Sequence, residues 1–107
     1  MTHIVQGAET LTLINTFVVE PGKQAELIEL LEEATRTVMR HQPGFVSASF
    51  HISLDGQHVA NYAQWRSRQD FEAMQADPTC REHMQKAAAL ARSFEPLLYR
   101  VASVHEA

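Results

Sequence analysis

Phe45-Val46-Ser47-Ala48-Ser49-Phe50-His51-Ile52-Ser53, then Asp55-Gly56, then His58-Val59-Ala60-Asn61-Tyr62-Ala63-Gln64-Trp65 is the stretch that decides the fold. In its first run Val46, Ala48, Phe50 and Ile52 alternate with Ser47, Ser49, His51 and Ser53, the period-two pattern of a strand with one buried face. Asp-Gly is a favoured pair for a tight hairpin, so His58 to Trp65 reads as the antiparallel partner. On that second strand Asn61, Ala63 and Trp65 share a face with Val59, because strand side chains alternate. An amide on that face needs a partner: burying one without any costs about 1–3 kcal/mol. Either the fold satisfies Asn61 or a ligand does.

Upstream, Thr10 to Val19 is β-branched and aromatic and ends at Pro21-Gly22, which predicts another strand. Both of its faces are apolar, with Leu11, Leu13, Phe17 and Val19 on one and Ile14 and Val18 on the other, so it wants cover on both sides. Leu27, Leu31, Ala34 and Val38 recur at helical spacing among Glu26, Glu29, Glu32, Glu33 and Arg36. They predict a helix over Lys23 to Gln42 with a solvated acidic face, stopped by Pro43-Gly44.

Downstream, Ser67 with Asp70 resembles a capping box and opens a short helix through Met74. Asp77-Pro78 is a cap followed by proline at the first helical position, predicting a further helix from Pro78 to about Arg92. The last strand is expected from Pro96 or Leu97 to Val104. Strand, helix, strand, strand, helix, strand is the split βαβ order of an α+β, ferredoxin-like domain. Its helices cover one sheet face, and the apolar residues on the other predict a second subunit there.

The chain of 107 residues is expected to form one domain, with residues 1–9 as a loose arm. A core of this size is modest, which also favours an oligomer. Nine Lys and Arg against thirteen Asp and Glu, scattered and giving a net charge of -4, provide no basic stripe for nucleic acid or an anionic membrane. No stretch is long and apolar enough to span a membrane. The single cysteine, Cys80, cannot form an internal disulfide, and the N-terminus lacks a signal-peptide layout. The expectation is a cytoplasmic protein. The six histidines show no metal-ligand spacing, so no metal site is expected.

Pro43-Gly44-Phe45, the turn Ser53-Leu54-Asp55-Gly56, the run Asn61-Tyr62-Ala63-Gln64-Trp65 and Asp77-Pro78 together resemble the antibiotic biosynthesis monooxygenase family. The resemblance runs from the first strand to the last and is most specific in the Asn-Tyr-Ala-Gln-Trp run. Within the family the chain is most similar to the anthrone oxygenases of aromatic polyketide pathways. This implies a homodimeric α+β barrel that oxidises a phenolic, anthrone-like or hydroquinone compound to a quinone with molecular oxygen, using no metal, flavin or other cofactor. It also implies a pocket between the sheet and its own helices, with Asn61 and Trp65 at the base. There the substrate loses a proton, and the resulting anion passes an electron to oxygen. Asn61 would stabilise the oxyanion and Trp65 would form an aromatic wall.

Phe71 stands where an anthrone oxygenase carries tyrosine, and Met84 about where it carries arginine. A smaller quinol is therefore open as substrate. With Asn15, Phe71, Met74 and Met84 taken as the rest of the substrate pocket, the polar candidates are His83, Arg81 and Lys86 on the last helix and Asn15 on the first strand. His83 is the expected base, since unperturbed imidazole titrates near neutrality; His51 ranks below it. A second branch of the superfamily degrades heme with an asparagine, a tryptophan and a histidine. Asn15 matches the first and His83 lies within a residue of the third, but Met74 stands where the tryptophan would be. A non-catalytic dimeric module holding a small aromatic ligand is the third reading. A core tryptophan beside a backbone-bonded amide would explain Trp65 and Asn61 with no site at all, and a buried, partnered amide would explain Asn15.

Overall fold

The computed structural model describes Ile4 and residues 10–107. The arm expected over residues 1–9 therefore lies, apart from Ile4, outside the described residues. The elements run β1 (Leu11–Val18), α1 (Gln24–Thr37), a 3-10 turn (Met39–His41), β2 (Phe45–Ile52), β3 (His58–Trp65), α2 (Arg68–Ala76), α3 (Pro78–Leu90) and β4 (Ser93–Tyr99). The sheet order is β2-β3-β1-β4 with every neighbour antiparallel. This is the ferredoxin-like α+β arrangement. Among the described residues no helix is long and apolar enough to cross a membrane.

Several boundaries differ from the sequence reading, among them the end of the short helix α2, at Ala76 rather than Met74. The first helix stops at Thr37, because Gln42, just before Pro43, is extended (φ -75, ψ 142) and cannot sit in a helix. The chain crosses the gap in a 3-10 turn instead. The last helix stops at Leu90 rather than Arg92. The last strand begins at Ser93, not at the proline, and ends at Tyr99, not Val104. Pairing starts early because the Arg92 N–H already donates to the Val18 carbonyl at 2.7 Å. Pro96 then pairs opposite Asn15 within the strand, which is tolerated because β4 is an edge, where a missing N–H need not break a ladder.

Register fixes what each face carries. Asn15 stands opposite Asn61, Phe17 opposite Val59 and Leu13 opposite Ala63, so the helix-covered face is built in rows. The alternation of β2 is broken by a bulge: Phe45 pairs with Trp65 but Ser47 with Gln64, leaving Val46 as the extra residue. Val46 is exposed, while Phe45 and Ala48, three apart in sequence, both turn towards the helices.

The core beneath the helices is in two parts. One holds Leu13, Ala63, Trp65, Phe71, Met74 and Cys80; the other holds Phe17, Val19, Leu27, Val59 and Ala87. The Asn15–Asn61 row lies between them. Capping follows the sequence: the Ser67 hydroxyl accepts from the Asp70 N–H at 3.1 Å, and the Asp77 carboxylate from the Cys80 N–H at 3.0 Å. The start of α1 is pinned to the hairpin by the Gln24 amide, which donates to the His58 and Ser53 carbonyls at 2.8 and 3.1 Å.

The opposite sheet face is mixed. Thr12, Ser47 and Gln64 are buried there, and Ile14, Val18 and Tyr62 are half-buried. On β4 all seven residues are exposed, Leu97 and Tyr99 on this face among them.

Candidate active site

A cavity of about 210 Å³ lies between the helix-covered sheet face and α1, α2 and α3. Asn15 and Asn61 reach it from the middle of the sheet, side by side on β1 and β3. Directly opposed strand residues have Cβ atoms about 4.5–5.5 Å apart, so the two carboxamides form one polar spot on an otherwise apolar floor. Both Oδ1 atoms are buried, and among the described residues neither finds a hydrogen-bond partner. Among the described residues the fold leaves the Asn61 Oδ1 without a donor, and it does the same to the Oδ1 beside it. Thr12 Oγ1, on the other sheet face, is likewise unpaired.

Trp65 closes one end. It is 2 % exposed and is held edge-on by two rings, Phe45 at 5.5 Å and Phe71 at 6.1 Å between centroids. Such edge-to-face pairs each contribute about 0.5–1.5 kcal/mol beyond burial, so the indole is fixed. Phe71 and Met74 come from α2, both buried, and Met84 and His83 from α3, both half-buried. Cys80, Met84, Ala87 and Ala88 recur at helical spacing on α3, and His83 rides on the edge of that stripe. Among the described residues that line the cavity, His83 is the one ionisable side chain.

All seven residues singled out in the sequence, Asn15, Asn61, Trp65, Phe71, Met74, His83 and Met84, therefore line one cavity. Arg81 and Lys86, raised as further polar candidates, are exposed on α3 and stand outside the lining. His51 is exposed on the other sheet face, its ring 3.2 Å from the Ser49 hydroxyl. The sequence reading missed Thr35, Phe45, Phe50, Gln75 and Phe94. Gln75 follows Phe71 by four, and Thr35 follows Leu31 by four, so helical spacing placed both on the inward stripes. Phe45 was hidden by the bulge.

The electrostatics around α3 keep its nucleophile quiet. Burial pushes the Cys80 thiol up to about 11, with Asp77 adding to the effect. The Cys80 N–H in turn holds the Asp77 carboxyl below its ordinary value. Cys80 is thus a protonated core thiol. Among the described residues no three His, Cys, Asp or Glu side chains are grouped to hold a metal ion. Met74 is buried with Phe71 in the part of the core that holds Trp65.

The site can enclose a flat apolar ring, present two amides to an oxygen on that ring, and offer one imidazole to its protons. Comparison with known proteins shows the family. Residues 10–86 match the model of the family described as antibiotic biosynthesis monooxygenase. Over 92 residues the chain is 48% identical to tetracenomycin-F1 monooxygenase of Streptomyces glaucescens, covering 86% of this chain and 82% of that one. Among solved structures, SnoaB, a cofactor-independent oxygenase from Streptomyces nogalater, aligns with a TM-score of 0.80 at 26% identity, covering 91% of this chain and 97% of SnoaB. A monooxygenase from the gene ActVA-Orf6 of Streptomyces coelicolor, in complex with the ligand nanaomycin D, aligns at 0.76 and 31% identity, covering 91% of each chain. The chain belongs to the antibiotic biosynthesis monooxygenase family.

Proposed function

We propose that the protein is a cofactor-independent monooxygenase that converts an anthrone-like or related phenolic compound of polyketide origin to a quinone. The observation that carries this reading is the pair of carboxamides of Asn15 and Asn61, whose buried Oδ1 atoms have no partner among the described residues and which line one apolar cavity. Two buried amide oxygens with no donor in the middle of a sheet are unfavourable for folding, and a ligand hydroxyl relieves the one to which it donates. An amide offers an acceptor to a phenolic hydroxyl and a donor to the oxyanion it becomes, which matches a substrate whose charge develops during reaction.

In this reading the substrate methylene loses a proton to His83, and the electron pair delocalises onto the ring oxygen held by Asn61 and Asn15. The anion gives one electron to molecular oxygen. The substrate radical and superoxide then combine, forming a carbon–oxygen bond and, with a proton, a hydroperoxide. Loss of the second methylene proton breaks the oxygen–oxygen bond. One oxygen atom stays as the new carbonyl and the other leaves as water. Trp65, clamped by Phe45 and Phe71, sets the plane of the ring; Phe71, Met74 and Met84 exclude water.

We further propose a homodimer joined through the face opposite the cavity. Leu97 and Tyr99 are 45% and 43% exposed on an edge strand, and Ile14, Val18 and Tyr62 lie beside them half-buried. Such an edge is a liability unless covered.

The test is oxygen uptake by chelator-treated protein with a panel of anthrones and hydroquinones. Protein-dependent uptake, with one oxygen atom of labelled oxygen gas in the product, is expected. Asn61→Ala should lower turnover more than substrate affinity. Uptake no faster than autoxidation across the panel would refute the oxygenase reading and favour a binding module.

A further inference from the structure

We infer that Phe94 sets the enzyme's preference for polycyclic substrates: the reacting ring sits over Asn15 and Asn61, and the distal rings leave the cavity across β1 and stack on Phe94 at its mouth. The inference rests on the proposed oxygenase reading for which ring reacts, but not for where a polycycle binds.

The aromatic rings around the cavity differ in exposure. Phe17, Trp65 and Phe71 are 4%, 2% and 5% exposed, whereas Phe94 is 49% exposed although it lines the same space. With Pro96 beside it on β4 and Gln75 on α2, it is one of the exposed residues where the cavity meets solvent. Register gives the path. Pro96 pairs with Asn15, and Phe94 is two residues from Pro96 on the same side of β4, which makes Asn15 and Phe94 diagonal neighbours about 7–8 Å apart. A fused-ring system anchored by an oxygen at the asparagines spans that distance along the sheet, passing over Pro96. Phe94 is backed by Phe17, its centroid 6.2 Å away and its plane tilted by 37°, so its ring does not fold back into the strand.

Volume points the same way. A cavity of about 210 Å³ is smaller than the ~300 Å³ at the low end for sites that enclose a drug-sized ligand. In the proposed binding mode a two-ring compound stays over the asparagines, and a larger one reaches Phe94. Parity keeps Phe94 available in the proposed dimer, because alternate residues of β4 face opposite ways. Leu97 and Tyr99 belong to the face that a partner would cover, and Phe94 to the cavity side.

The experiment is ligand titration of the intact protein, followed through the fluorescence of Trp65, the single tryptophan. The probes are two unreactive quinones, emodin with three rings and juglone with two. Phe94→Ala should weaken emodin about tenfold and juglone less than about twofold, the difference expected of one lost aromatic contact. Phe94→Tyr should restore emodin binding. Leu98→Ala, on the same side of β4 but outside the cavity lining, should leave both affinities unchanged. Unchanged emodin affinity in Phe94→Ala, an equal loss for both quinones, or no emodin binding by the wild type would each overturn the inference. Phe94-dependent emodin binding in a protein that consumes no oxygen with any anthrone would support it while refuting the oxygenase reading.

Discussion

Replacing Asn61 with leucine should make the protein more stable and nearly inactive. The Asn61 Oδ1 is buried with no partner among the described residues. Leaving such a group unpaired costs about 1–3 kcal/mol in the ligand-free protein; the residue as a whole is only half-buried, which argues for the lower part, about 1–2 kcal/mol. Leucine has a similar volume, no polar atom to satisfy, and apolar neighbours in Phe50 and Ala63 on the same cavity wall. For a domain of this size each kcal/mol moves Tm by about 4–8 °C, so Asn61→Leu should raise Tm by about 4–16 °C. In the proposed mechanism the same change removes the amide N–H that donates to the developing oxyanion, a loss that in hydrolytic enzymes costs about 10²–10³ in kcat. Scanning calorimetry at fixed protein concentration, since a dimer's Tm varies with it, paired with oxygen uptake, measures both effects. Asn15→Leu should behave alike, and the double variant should gain less than the sum because the residues adjoin. A lower Tm in Asn61→Leu would refute the reasoning, because it would mean that the amide is already satisfied in the empty protein and is not held in reserve for a ligand.

Three further outcomes are expected. Gly44 has φ +84, and an added Cβ would run into the Asp70 carboxylate, which the Arg66 guanidinium and Ser67 hydroxyl both hold at 2.9 Å; Gly44→Ala should destabilise by about 2–3 kcal/mol in urea unfolding. The Ser53 hydroxyl, then the Gln57 N–H and His58, lower the Asp55 carboxyl to about 2. A folded value below the unfolded one contributes stability above about pH 4, lost as pH falls towards 2, so an Asp55→Asn deficit measured at pH 7 should close over that window. Leu97→Lys should shift the proposed dimer towards monomer in light scattering on dilution while leaving helix content unchanged in circular dichroism.

The fold was legible because its punctuation is chemical. Pro43-Gly44, Asp55-Gly56 and Asp77-Pro78 bound the strands and helices, and each constrains backbone geometry whatever surrounds it. The boundaries read least well were those set by tertiary contacts. β4 starts three residues before its proline because Arg92 bonds to Val18, seventy-odd residues away and invisible to local pattern. The Val46 bulge is of the same kind, since a strand with an extra residue still alternates on paper.

The site was legible for a different reason: an amide on a core face is a local contradiction, and period two alone puts Asn15 and Asn61 on such faces. What the sequence withheld was that the two are opposite each other, because register between β1 and β3 is a property of the pair. That fact changes the chemistry. One stray asparagine in a core can be carried as a defect, but two in one row split the apolar interior into the Leu13–Trp65 half and the Phe17–Leu27 half, forgoing burial between them. At about 25 cal/mol per Å² of apolar surface, two leucines there would be worth several kcal/mol to a small domain. Stability given up in so central a place, on residues that meet the same cavity, fits the proposed role of the pair in holding a ligand oxygen. The Asn61→Leu variant tests whether that stability returns when the amide is removed.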